Sequence, residues 1–84
     1  MENRKRRLEE TAYNYILAQI INGTLKPGDF VNQRELADTL NMSRTPIKSA
    51  LSQLAGEGYI RILPYNGTFV AYKYEAFGNG EGRL

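Results

Sequence analysis

Two helix caps and one turn dipeptide confine the middle of this chain. Asn32 stands before Gln33-Arg34-Glu35-Leu36-Ala37, and Ser43 before Arg44-Thr45-Pro46-Ile47. Each carries the short acceptor side chain that a helix start needs to satisfy an orphan N–H. Glu35, three residues after Asn32, can return a bond to the cap's own backbone. Asn66-Gly67 falls between two β-prone runs, a strong hairpin signal because a type I′ turn needs positive φ twice. The order from Asn32 to Gly67 is therefore a short helix over 33–40, a turn at Asn41-Met42, a longer helix, and a strand–turn–strand over 59–63 and 68–72.

The longer helix divides cleanly. Ile47, Ala50, Leu51 and Leu54 recur at helical spacing and mark a buried stripe. Pro46 lies in the first turn, where no intrahelical N–H is required, so Ser43 is expected to cap the N–H of Thr45. Gly58 is the expected left-handed residue past the end. On the shorter helix Leu36, Ala37 and Leu40 face inward and Arg34 faces away.

Before this stretch, Leu8, Ala12, Tyr15, Ile16 and Ile20, widened by Tyr13, Leu17 and Ile21, predict a scaffold helix over 8–21 that stops at Asn22-Gly23. Lys26-Pro27-Gly28-Asp29 fits a type II turn, and Phe30-Val31 a very short extended segment. The fold class is mainly α with a small β-hairpin: a winged helix-turn-helix of three helices and a two- or three-stranded wing. A two-stranded ribbon is not stable alone, so the wing must pack on the helices.

Eighty-four residues make one domain. Residues 8–74 carry its pattern. Residues 1–7 are basic and lack periodicity, which predicts a mobile arm: either a solvated terminus or a segment reaching a phosphate backbone or minor groove. Residues 75–84 are glycine-rich and read as a flexible tail or the start of a linker. The chain has no cysteine and no histidine, which removes disulfides, thiolate metal sites and the commonest general base. An enzyme is not expected, nor a cofactor or metal. No apolar run approaches the roughly 20 residues of a membrane span, so a soluble cytoplasmic protein is the expectation.

The net charge of +2 is too small to identify a partner, but four of the eleven basic residues cluster in 4–7 and three more are Arg34, Arg44 and Lys48. A helix that shows Arg44, Thr45, Lys48, Ser49 and Ser52 on one side, propped on a second helix, has the form of a major-groove reader. Arg44 can bond guanine O6 and N7 together, and a cation at a helix N-terminus is mildly unfavourable unless an external anion meets it. Lys48, one turn on, suits a phosphate or a single guanine contact. Thr45 offers a methyl group to thymine or a hydroxyl to phosphate; Ser49 and Ser52 are weaker candidates. Arg34 either contacts DNA or pairs with Asp38, and Tyr65 either bonds a phosphate or packs on the ribbon.

Five pieces in order, Gly23-Thr24-Leu25-Lys26-Pro27-Gly28-Asp29, Arg34-Glu35-Leu36-Ala37, Ser43-Arg44-Thr45-Pro46, Glu57-Gly58-Tyr59-Ile60 and Asn66-Gly67-Thr68-Phe69-Val70, resemble the N-terminal winged helix-turn-helix of the GntR family of bacterial transcription regulators. The Ser-Arg-Thr-Pro form is more similar to the FadR-like branch than to the HutC-like one. The resemblance implies a repressor or activator that binds double-stranded operator DNA. It also implies a separate C-terminal domain that binds a small-molecule effector and forms a homodimer. Nothing here corresponds to that domain, so the chain is expected to be either a fragment or a small stand-alone regulator. By position, Arg34, Ser43, Arg44, Thr45 and Lys48 match contact residues, with Ser49 beside them. Gly67 matches the wing-tip glycine near the minor groove, next to Asn66. Departures are Lys48 where Arg is common, Ser49 where Glu is common, Asn66 where a basic residue is frequent, and Val31-Asn32-Gln33 in place of Pro-Ser-Glu. The alternative function is a winged-helix module for protein–protein contact, which predicts an exposed apolar patch on the third helix.

Overall fold

The computed structural model describes residues 2–72, and within them the expected order of elements holds: α1 (Glu2–Ile21), α2 (Gln33–Leu40), α3 (Arg44–Gly56), β1 (Ile60–Leu63) and β2 (Gly67–Val70). The expected tail over 75–84 lies outside the described residues. The largest departure is at the start. The first helix begins at Glu2, so Arg4, Lys5, Arg6 and Arg7 are helical and not the irregular arm that their composition suggests. Arg, Lys and Glu are good helix formers, and a helix already nucleated downstream propagates back through them at little cost.

α3 is the hub. It packs on α1, on α2 and on β1, and Ile47, Leu51 and Leu54 are wholly buried there with Ile16 of α1. Ala12, Val31, Ala37, Ala50, Ile60 and Val70 complete the core. Leu36, Leu40, Tyr13, Leu17 and Ile20 are half-buried at its rim, whereas Ile21, expected in the stripe, is the last residue of α1 and is exposed.

Chain ends of the helices follow local chemistry. Asn32 caps α2 by accepting the Glu35 N–H at 3.0 Å, and Asn41 closes it in the left-handed conformation at φ 56°. α3 ends in a Schellman arrangement: Gly58, at φ 94°, donates to the Ala55 carbonyl, and Tyr59 donates to that of Leu54. Lys26–Asp29 form the type II turn, with Gly28 at φ 90° and the Asp29 N–H on the Lys26 carbonyl.

β1 and β2 pair antiparallel, Ile60 opposite Val70 and Leu63 opposite Gly67. The other edge of β2 is covered by the Gly28–Val31 segment through bonds from Gly28 to Val70, Val70 to Asp29 and Val31 to Thr68, with a bridge between Phe30 and Phe69. Thr68 and Val70 point inward; Phe69 points outward and meets the edge of Phe30, ring centroids 5.6 Å apart. The hairpin tip departs from the expected type I′ turn. Asn66 does not take positive φ; Tyr65 does, at 70°, and Gly67 at 120°. Pro64 is the reason. Its fixed φ suits the second position of a turn, so the turn closes over Leu63–Asn66, with the Asn66 N–H on the Leu63 carbonyl at 3.1 Å. Gly67 thereby becomes the first residue of β2.

Candidate nucleic-acid interface

On α3 the exposed and buried sides separate around the helix axis as the residue spacing requires. Arg44, Thr45, Lys48 and Ser52 are exposed, and Ser49 is half-buried at the boundary. Pro46, Ile47, Ala50, Leu51 and Leu54 hold the opposite side in the core. The expected polar side is therefore free of the protein and held rigidly by the side that is not. Of the exposed large hydrophobic residues among those described, none lies on α3.

Arg34, on the first turn of α2, is exposed, and no hydrogen bond or ion pair engages Arg34, Arg44 or Lys48 among the described residues. The pairing of Arg34 with Asp38 is thus not formed. A shallow cavity of about 260 Å³ brings Arg34, Arg44 and Gly67 together with Phe30 and Asn32, joining the start of α2, the start of α3 and the tip end of the wing. Lys48, Thr45 and Ser49 lie farther along α3, and Asn66 stands exposed at the tip of the wing. Tyr65 is fully exposed, which removes the reading that it packs on the ribbon.

Ser43 occupies the N-cap of α3 with extended backbone, but its side chain makes no capping bond. The N3 N–H that a serine cap often engages does not exist at Pro46. The expected bond to Thr45 is absent, so the Thr45 N–H and the Ser43 hydroxyl both remain available at the positive end of the helix.

One positioning residue was not legible in the sequence. Gln33 donates from Nε2 to Oγ1 of the buried Thr68 at 3.3 Å, tying the start of α2 to β2. The two residues are 35 positions apart, and no local spacing signals such a tie. A second tie joins the scaffold to the end of α3: the Tyr13 hydroxyl donates to Glu57 Oε1. That bond, with burial and the negative charge of Glu57 adding to it, raises the Tyr13 phenol above its ordinary value.

Three helices with a β-wing, and an α3 that buries one side and bares a cationic other, define a winged helix-turn-helix. Residues 8–70 match the family model described as "Bacterial regulatory proteins, gntR family". The chain belongs to the GntR family. It is similar to the uncharacterized HTH-type transcriptional regulator YdhC of Bacillus subtilis, 38% identical over 55 residues, which covers 66% of this chain and 25% of that protein. It is 29% identical over 63 residues to the HTH-type transcriptional repressor RspR of Escherichia coli, covering 75% of this chain and 28% of that one. Among solved structures, YtrA from Sulfolobus acidocaldarius, a GntR-family transcription factor, superposes with a TM-score of 0.65 at 28% identity over 84% of this chain and 63% of that one. The crystal structure of mutant ORR3 in complex with the NTD of AraR gives a TM-score of 0.70 at 26% identity over 76% and 93%. The chain spans about a quarter of the length of the curated relatives it matches.

Proposed function

We propose that this chain is the operator-reading domain of a bacterial transcriptional regulator, with α3 in the major groove of double-stranded DNA and the wing at the adjacent minor groove. The observation that carries the reading is the exposed side of α3, unpartnered among the described residues and joined through one cavity to Arg34 and Gly67. Arg44 reads a base edge, most simply guanine O6 and N7 together. Thr45 and Ser43 meet a thymine methyl or a phosphate, Lys48 and Ser49 extend the contact one turn on, and Arg34 neutralises backbone phosphate. Asn66 and Gly67 bring the wing backbone close to the minor groove. The Ser43-Arg44-Thr45-Pro46 run supports the FadR-like branch over the HutC-like one. In the whole regulator, which works in the cytoplasm, a C-terminal domain supplies the small-molecule effector site and the homodimer contact.

Titration of labelled duplex at low and at physiological salt tests the reading. Affinity should fall steeply with salt as protein cations displace counterions. Arg44→Ala should reduce discrimination for a duplex enriched by random-sequence selection by about 1–3 kcal/mol. Equal binding by wild type and Arg44→Ala at low salt sinks it.

A further inference from the structure

The helical start of α1 does more than lengthen a scaffold. Arg4 and Lys5 line a groove with Leu8 and Glu9 of α1 on one wall and Ser43, Thr45 and Pro46 of α3 on the other. Arg6 and Arg7, the other half of the same basic run, do not line it, because successive residues on a helix point about 100° apart. The run that is uniform in sequence is thus sorted by the helix into a pair beside α3 and a pair turned elsewhere. All four side chains are exposed, and no hydrogen bond or ion pair among the described residues engages Arg4 or Lys5. Among the described residues that line the groove Glu9 is the one carboxylate, against the two cations.

Cations in the opening turns of a helix oppose its dipole. Their cost falls when an anion approaches from outside. Ser43 and Thr45, on the facing wall, already belong to the surface proposed to meet DNA. The nearest anion that such a surface would encounter is the sugar–phosphate backbone beside the groove that α3 enters.

We propose that Arg4 and Lys5 form a phosphate clamp, a sequence-independent contact with the backbone of the bound duplex at the α1 side of α3. The clamp rests on the reading that α3 docks in the major groove. It extends the footprint from the wing, across α3, to the first turns of α1. It contributes affinity and orientation without reading bases.

The test uses the 84-residue chain and a labelled random-sequence duplex over a salt series. Wild type is compared with Arg4→Ala/Lys5→Ala, Arg6→Ala/Arg7→Ala and Arg44→Ala. The two double variants change net charge equally, and alanine preserves the helix. Each lost phosphate contact lowers the slope of log affinity against log salt by about 0.9, so Arg4→Ala/Lys5→Ala should lose about 1.8 and bind several-fold more weakly. Its melting temperature should hold or rise, since two cations leave the wrong end of a helix. Arg6→Ala/Arg7→Ala should lose much less of the slope. Equal losses in the two double variants would assign the effect to overall charge and overturn the clamp. An unchanged slope in Arg4→Ala/Lys5→Ala with weakened Arg44→Ala overturns the clamp and leaves α3 docking standing. No effect from any variant overturns both.

Discussion

Gly67 carries two demands at once. Its φ of 120° lies where side chains are strained, and a Cβ there would sit 2.9 Å from Phe30 Cε1. Phe30 is more than half exposed and can turn toward solvent only by giving up its edge contact with Phe69, so the backbone conformation is the firmer of the two demands. Gly67→Ala should therefore cost about 1–3 kcal/mol of stability, measured by thermal or urea unfolding, before any effect on DNA is considered. The wing-tip glycine is explained by geometry alone, and binding data on that variant must be corrected for folding. Tyr65 presents the reverse case. It holds positive φ with a bulky side chain and gains no packing in return. Tyr65→Gly should stabilise the chain by up to about 1 kcal/mol, the left-handed strain released less the added freedom of the unfolded chain. A melting temperature lowered by Tyr65→Gly would show that the strain has been misjudged. Both residues depend on Pro64, whose ring placed the turn two residues earlier than the Asn66-Gly67 signal suggests.

Between elements, the two N-caps look alike in sequence and differ in the structure. Asn32 accepts the Glu35 N–H, while Ser43 makes no side-chain bond. Asn32→Ala should cost about 1 kcal/mol and Ser43→Ala only a few tenths, read as a difference in urea midpoint. If Ser43 contacts DNA, its replacement should weaken binding while stability holds, which separates a functional from a structural role. The tie between Tyr13 and Glu57 links α1 to the end of α3 and makes stability depend on alkaline pH. Because the folded state raises the phenol above its ordinary value of 10.0, it holds the proton more tightly than the unfolded chain does. The contribution is complete below pH 10 and fades as pH rises through the folded value. Tyr13→Phe should remove that part of the alkaline decline and leave stability near neutral pH little changed, since the bond is exposed to water.

For the whole molecule the decisive fact is that one helix supplies the core on one side and, on the other, the surface proposed to meet DNA. A domain of this size has a stability of the order of 5 kcal/mol. Leu54 is wholly buried in α3, and Leu54→Ala should cost about 2–5 kcal/mol, enough to leave much of the chain unfolded at 37 °C by circular dichroism. Lys48→Ala, on the opposite side of the same helix, should shift stability by no more than about 0.5 kcal/mol while weakening DNA binding. The two sides of α3 are thus separable by experiment although they share one backbone. The same rigidity explains how an 84-residue chain with no cysteine can hold Arg34, Arg44 and Gly67 around one cavity.

The amino-acid pattern alone was enough for the helix-turn-helix, the cap at Asn32, the turn at Asn41-Met42, the turn at Pro27-Gly28, the Gly58 stop and the polar side of α3. Each of these is a local matter of side-chain period, positive φ or a nearby acceptor, and local chemistry is written in adjacent residues. The inward face of β2, the tie from Gln33 to Thr68, and the sorting of Arg4 and Lys5 from Arg6 and Arg7 were decided only by tertiary structure. They depend on which distant segment packs alongside, and contacts between residues far apart in the chain leave no trace in local spacing.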